Sequence, residues 1–350
     1  MTFQPDARAT LIGSLPLADH GEATRLVLRY VPEIPLWVQL PRYPDERLLT
    51  QFAEGLPGLE ETDGEVRFNT AAPDFEERFL AFMENYLAVA EEGVPVQSSI
   101  FAFSERIYRG FRTFLDAVAD LSPPPVALKG QVTGPVTFLT GVKDQDGRMA
   151  WSDLRLREAS TKGLGLRARY QVEEMRKRCP TALLFFDEPA LAGFGSTAML
   201  GVSREDVTAV LADVIETVHQ AGGLAGVHVC ANTDWSVLFE TPVDILSFDA
   251  YGFFDRLLLY RGQLAAFLER GGIVAWGLVP TQRPEDLHRE SVASLLERWR
   301  AQAAALDLPA DLVRRQALVT PSCGTGLLSP EDAERVMALT RDLSAAVREA

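Results

Sequence analysis

The stretch "GVHVCANTD" (226–234) places His228 and Cys230 two positions apart at the end of an apolar run. The chain holds four histidines and three cysteines in 350 residues, so two of its scarcest side chains sit together. Residues two apart on a strand share a face, and an imidazole beside a thiolate is a zinc-like pair. Cys323, in "TPSCGTG" after another apolar run, offers a third donor with glycines beside it. Asp249, in "ILSFDA", ends the run that follows His228 and Cys230. Three firm ligands with an optional carboxylate leave one exchangeable position, which separates a catalytic zinc site from a closed structural one. Without a metal the same cysteines read as small packed side chains, and Cys179 in "MRKRCPTA" is expected to be only that. His20, His219 and His288 fall in helical or loop contexts and are expected to do no chemistry.

Elements must bring these donors together. Short apolar runs alternate with longer amphipathic stretches. The runs lie at 9–16, 35–40, 94–100, 126–134, 182–189, 224–230, 244–250, 273–280 and 317–324. Between them, 74–93 and 204–223 read as helices, the second with Ser203 as N-cap and a glycine pair as its stop. Strand and helix in alternation predict a parallel α/β fold. Polar clusters end many different runs ("GS", "DEP", "HVC", "FDA", "PSCG"), which favours a (β/α)8 TIM barrel, with its functional groups around one mouth, over an open sheet with a single switch point. Nine runs are one too many for eight strands. No glycine-rich dinucleotide fingerprint, internal repeat or linker is present, so one domain spanning 1–350 is expected. The polar stretch 140–152 reads as a lid or as a solvated turn.

Bulk composition narrows the partners. Apolar residues make up 47% and charged residues 24%, enough to bury a large core. The net charge of −15 disfavours nucleic acid and anionic membrane surfaces, both of which call for clustered Lys and Arg. No run reaches transmembrane length, and "MTFQPDARAT" lacks a secretory pattern. A cytoplasmic protein is expected, where three cysteines serve as ligands or nucleophiles rather than as a disulfide framework.

Five segments resemble one family in order. "ATLIGSLP" (9–16) resembles the "TIGSFP" opening of the catalytic domain of cobalamin-independent methionine synthase. "KGQVTGPVTFLTG" (129–141) is similar to its "KG.LTGPVT", and "FFDEPAL" (185–191) to its "IDEPAL". "HVC" (228–230) and "PSCG" (321–324) resemble its zinc-ligand segments "HMC" and "PDCG". The wider superfamily includes uroporphyrinogen decarboxylase and the zinc-dependent corrinoid:coenzyme M methyltransferases. "HVCANT" and "VQLPRYPDERLLTQFAEGLPG" (38–58) look more like the corrinoid branch.

The resemblance implies a (β/α)8 barrel with zinc at its C-terminal mouth, held by His228, Cys230 and Cys323. Asp249 stands where the family has a Glu, one methylene longer. Asp187 matches the Asp that holds the substrate's ammonium, with Glu188 beside it as a second catalytic carboxylate, and Ile12 and Ser14 would line the pocket. Adjacent residues on a strand face opposite ways unless the chain bends, so Pro189 matters, and "DEPA" also reads as a strand-end cap. Arg42 stands where the family has a second ammonium-binding Glu; an arginine prefers a carboxylate, phosphate or sulfonate. The implied activity is methyl transfer to a zinc-bound small thiol such as homocysteine or a relative. The donor is expected to be a methyl-corrinoid (methylcobalamin) on a partner corrinoid protein, with methyl-folate less favoured. The competing readings are a lyase like uroporphyrinogen decarboxylase and a non-catalytic zinc- or corrinoid-binding barrel.

Overall fold

A computed structural model describes residues 3–349. Its strands in chain order are β1 (Arg8–Ala9), β2 (Leu59–Thr62), β3 (Glu65–Phe68), β4 (Leu128–Thr133), β5 (Ala182–Asp187), β6 (Leu224–Val229), β7 (Ile245–Phe248), β8 (Ile273–Val279) and β9 (Ala317–Pro321). Seven form one sheet in the order β1-β9-β8-β7-β6-β5-β4, and every pairing in it is parallel.

β4, β5, β7, β8 and β9 are buried along their whole length, as strands of a parallel sheet covered on both faces must be. Alternation along β5 shows the two sides. Leu184 and Phe186 join the main core beneath the helices. Leu183 and Phe185 join a smaller cluster with Ile34, Ala127, Ile245, Ile273, Ala275 and Leu318. That cluster takes side chains from β9 and from the chain just before β4, near opposite ends of the sheet order. The sheet is therefore curled, and this cluster fills its inside.

The run 35–40 forms no regular strand; residues 33–40 instead touch both edges of the sheet. Lys129 N donates to Pro35 O (3.0 Å) on one side; Leu15 N donates to Gln39 O (3.0 Å) and Gln39 N to Gly13 O (3.1 Å) on the other. The surplus run, 94–100, is a 3-10 turn over Val96–Ser98. Pro95 opens it, and the Ser99 hydroxyl donates to Val96 O (2.8 Å), a local bond that competes with strand pairing. The helix Arg204–Gln220 starts at Ser203, whose hydroxyl accepts from Asp206 N (3.1 Å), and stops before Gly222 at φ +76°.

The antiparallel hairpin β2–β3 was not among the expected strands. Asp63 and Gly64 both have positive φ (54° and 75°), as its tight turn requires. Phe68 N donates to Lys143 O (2.8 Å), so the stretch 140–152 is tied to the hairpin, and its Trp151 is buried in the core. No helix among the described residues is long and apolar enough to cross a membrane.

Gly277 marks where three strands close in. A Cβ there would lie 2.5 Å from Phe248 O and 2.8 Å from Ser322 Cα, one residue before Cys323. Gly277→Ala is expected to cost about 1–3 kcal/mol by overpacking. Urea denaturation checks this; a wild-type midpoint would contradict the close approach of β7, β8 and β9.

Candidate functional site

Parallel register sets the floor of the site. Thr133 pairs with Asp187, Asp187 with His228, and His228 with Ser247, so four strands place polar residues on one level. Below them lies the apolar inner cluster, with Phe185 one inward position beneath Asp187. Phe185 packs where Gly226 has no side chain: a Cβ there would come within 2.6 Å of its ring.

His228 is buried, and its Nδ1 lies 2.9 Å from Ser247 Oγ. Burial, reinforced by the positive charge of Lys129, pushes its pKa down to about 3, so the ring is neutral. In the tautomer whose Nδ1–H donates to Ser247 Oγ, the Nε2 lone pair is left open; Nε2 is buried and has no partner. A metal-binding histidine is usually held this way by its other nitrogen. Asp187 Oδ1 and Thr320 Oγ1 are also buried without a partner. Buried polar atoms are costly to leave unpaired, and of these residues Asp187 and His228 line one cavity.

Cys230 follows β6 directly, and Cys323 lies two residues past β9. The donor atoms of His228, Cys230 and Cys323 all lie within 4.8 Å of one another. A tetrahedral zinc ion at ordinary bond lengths sets such atoms about 3.5–3.8 Å apart, so small side-chain movements complete the geometry. The nearness of the two thiols holds the Cys230 thiol below its usual range and pushes Cys323 up. Ser14 holds the turn that carries Cys323: its carbonyl accepts from Thr325 N (3.0 Å) and its hydroxyl from Gly326 N (3.2 Å). Gly324 permits this approach, since a Cβ there would lie 2.2 Å from Ser14 Oγ.

A cavity of about 350 Å³ opens beside these donors, of a size that suits a small ligand. Ile12, Ser14, Asp187, His228, Cys230 and Cys323 line it, as do Glu46 and Arg47. Asp187 is nearly buried, and burial pushes its carboxyl up to about 7 against the pull of Lys129.

The remaining expected residues lie apart. Glu188 faces away from the cavity. It accepts from Val136 N (2.9 Å), Thr137 N (2.7 Å) and Thr137 Oγ1 (2.7 Å), anchoring the helix Pro135–Gly141. Burial pushes it up to about 7, with those donors pulling down. The strand alternation holds at "DEP", and Glu188 is the cap that "DEPA" also allowed. Asp249 caps the helix Ala250–Leu257 through Gly252 N (2.8 Å) and lies outside the three-donor cluster. Burial pushes its carboxyl up to about 6. Arg42 is exposed and outside the cavity lining.

Sequence reading passed over Glu46, Arg47, Ser247 and Lys129. Glu46 is buried, accepts from Leu40 N (2.8 Å) and lies 2.8 Å from His20 Nε2. Arg47 makes no ion pair or side-chain hydrogen bond among the described residues. A lysine inside the apolar run 126–134 was the visible signal for Lys129, because lysine is almost never fully buried without a reason.

No family model matches the chain, and no characterised protein matches it by sequence. Its fold is similar to a solved methyltransferase from Methanosarcina mazei, at 14% identity and a TM-score of 0.52, over 94% of this chain and 84% of that one. At that identity the likeness speaks for the fold alone.

The two adjacent carboxylates are expected to separate on mutation. Glu188→Gln breaks a three-donor anchor and should cost about 1–3 kcal/mol. Asp187→Asn removes a buried carboxyl that has no hydrogen bond and should leave metal-free protein at least as stable near pH 8. The sign follows from the raised folded pKa. Protonated Asp187 is tolerated and ionised Asp187 is not, so its destabilising effect grows as pH rises from about 4 to about 7. Urea denaturation of both proteins at pH 5 and pH 8 should show wild type losing ground to Asp187→Asn at the higher pH. An equal difference at both would contradict the assignment.

Proposed function

We propose that this protein is a zinc-dependent methyltransferase that moves a methyl group to a small thiol bound at the mouth of the curled sheet. The observation that carries this reading is the set of two thiols and one neutral imidazole gathered beside an open cavity. The donor set fits zinc: three protein ligands with space for a fourth is the catalytic pattern. His228, Cys230 and Cys323 would hold the ion. Asp249 caps its helix through Oδ1 and lies outside the three-donor cluster, so on this reading the fourth position goes to the acceptor. Zinc, when bound, stabilises a thiol in its nucleophilic thiolate form near neutral pH.

The other roles belong to the chain. Ser247 fixes the ring of His228. Ser14 and Gly324 fix the turn that carries Cys323. Ile12 and Ser14 wall the pocket, and Asp187 presents a carboxyl to the polar end of the acceptor. Arg47 takes the part first expected of Arg42: an unpaired guanidinium at the cavity that would bind a carboxylate, phosphate or sulfonate on the acceptor. The new carbon–sulfur bond forms as the bond between methyl and donor breaks.

A methyl-corrinoid on a partner protein remains the donor we favour. The mouth opens outward, and Leu327, fully exposed at its rim, offers apolar surface to a carrier. Residues 33–40, bonded to both sheet edges, would be the eighth stave of a closed barrel. Free thiols as ligands suit the reducing cytoplasm. A lyase acting on a polycarboxylate needs several cations, and among the described residues lining the cavity Arg47 is the one Arg or Lys.

Purified protein is expected to carry about one zinc per chain, with Cys323→Ser weakening it at least about tenfold, read by metal analysis and chelator competition. Wild type that takes no zinc after reconstitution would sink this reading. With methylcobalamin as donor, Arg47→Gln should raise KM for thiols that bear a carboxylate or sulfonate and leave neutral thiols unaffected; equal effects on both would remove Arg47 from recognition.

A further inference from the structure

Lys129 is a residue that the proposed chemistry does not use and that packing alone does not explain. It is fully buried in β4. It points into the curled sheet, in register with Leu183, where the surrounding inner residues are Ala127, Leu183, Phe185 and Ile245. Its ammonium donates to Ile12 O (2.5 Å) and lies 3.5 Å from Gln131 Oε1 and 4.5 Å from the centroid of the Phe185 ring. Among the described residues no carboxylate lies within 4.0 Å of it. Burying a cation without an ion pair costs several kcal/mol, and a leucine or methionine would fill this place without that cost.

The charge becomes intelligible from what lies above it. The ammonium reaches up beside Phe185, and the next inward residue on that strand is Asp187, whose Oδ1 has no partner. Beyond Asp187 stand the thiols of Cys230 and Cys323. In this low-dielectric interior, charges that do not touch still interact strongly. The arithmetic is simple on the zinc reading, on which this inference rests. A divalent ion with two thiolates and a neutral histidine sums to zero. Asp187 adds one negative charge at the wall of the cavity. An incoming thiolate would then meet a negative mouth.

We propose that Lys129 is a positioning residue that sets the charge of the mouth: it is the interior counter-cation of Asp187, and it leaves the centre neutral toward an incoming thiolate. By holding the Ile12 carbonyl it also fixes the 12–14 segment that walls the cavity. Lys129 touches neither the acceptor nor the ligands; it acts by its charge on Asp187 and His228 and by its bond to Ile12.

Two measurements test this. The first needs no metal. Lys129→Met, Asp187→Asn and the double variant are unfolded in urea without zinc at pH 7.5, between the values to which burial brings Asp187 (about 7) and Lys129 (about 8). A charge pair predicts that the double variant is more stable than the sum of the two single effects; strict additivity overturns the pairing. The second uses zinc-loaded protein and 2-mercaptoethanol, a probe whose only ionisable group is its thiol, with binding followed by calorimetry. Lys129→Met should retain zinc stoichiometry and bind the thiol about tenfold more weakly, an effect of the size expected from one nearby charge. Adding Asp187→Asn should restore binding, because the mouth is neutral again. Lys129→Met that binds the thiol like wild type, or a double variant no better than the single, overturns the proposal. Where Lys129→Met does not fold, Lys129→Gln takes its place, with Lys129→Arg expected to keep wild-type affinity. Wild type that binds no zinc sinks the underlying reading and leaves the metal-free cycle to judge the Lys129–Asp187 pair on its own.

Discussion

Two thiols three strands apart can meet beside one histidine only if the sheet between them curls. β6 and β9 are separated by β7 and β8, and at about 4.8 Å per strand a flat sheet would hold their ends roughly 14 Å apart. Cys230 and Cys323 nonetheless lie within 4.8 Å of each other and of His228. The curl that brings them together has its own material causes. Inner residues must be small enough for the strands to turn in on themselves, and Gly226, Ala275 and Gly277 supply that along β6 and β8. The outer face must be covered, and the apolar outward residues of each strand are met there by helices. The site is thus a consequence of how the interior is filled, since any group that flattened the sheet would separate the donors.

The same interior changes character with height. Its lower part is apolar, with Ile34, Leu183, Ile245, Ile273 and Leu318 in contact. One inward step above Phe185 the row becomes Thr133, Asp187, His228 and Ser247. A polar row over an apolar plug is costly for folding and useful for chemistry. His228 stays neutral because the plug and Lys129 disfavour its cation. Asp187 is difficult to ionise for the same reason of burial. Ser247 meets one nitrogen of His228, while the second nitrogen and Asp187 Oδ1 find no partner within the chain. A fold optimised for stability alone would have filled those valences, and their persistence is the physical argument for a ligand.

Much of this was legible in the sequence, for reasons that differ by residue. Strands buried on both faces write themselves as continuous apolar runs, which is why six of the seven paired strands fell inside expected runs and β1 sits at the start of another. His228 and Cys230 were visible because period-two spacing on a strand fixes their common face, and Cys323 because glycines mark a turn made close to other backbone. The hairpin β2–β3 was hidden because its strands, "LEET" and "EVRF", are charged and half-exposed; only the Asp63–Gly64 turn announced it. The run 94–100 misled because hydrophobicity without length cannot tell a strand from a turn. Position along the chain near residue 42 pointed to one arginine, whereas the chain past the 3-10 turn Pro44–Glu46 brings Glu46 and Arg47 to the cavity; both arginines are exposed, and only Arg47 lines it.

The pair at the end of β5 shows where sequence reading meets its limit. Asp187 and Glu188 are chemically alike and adjacent, and a motif alone gives both the same standing. Alternation sends one inward to the cavity and the other outward into the helix Pro135–Gly141, where three donors and the bare Gly134 receive it. Burial pushes both pKa values up to about 7, so electrostatics alone would not distinguish them either. What separates them is satisfaction of hydrogen bonds. Glu188 has its partners within the fold and is part of the scaffold; Asp187 Oδ1 has none and is available. A perturbed carboxyl becomes a functional candidate when its charge is unanswered by hydrogen bonds, and Lys129, which makes no ion pair with Asp187, leaves Oδ1 without a partner.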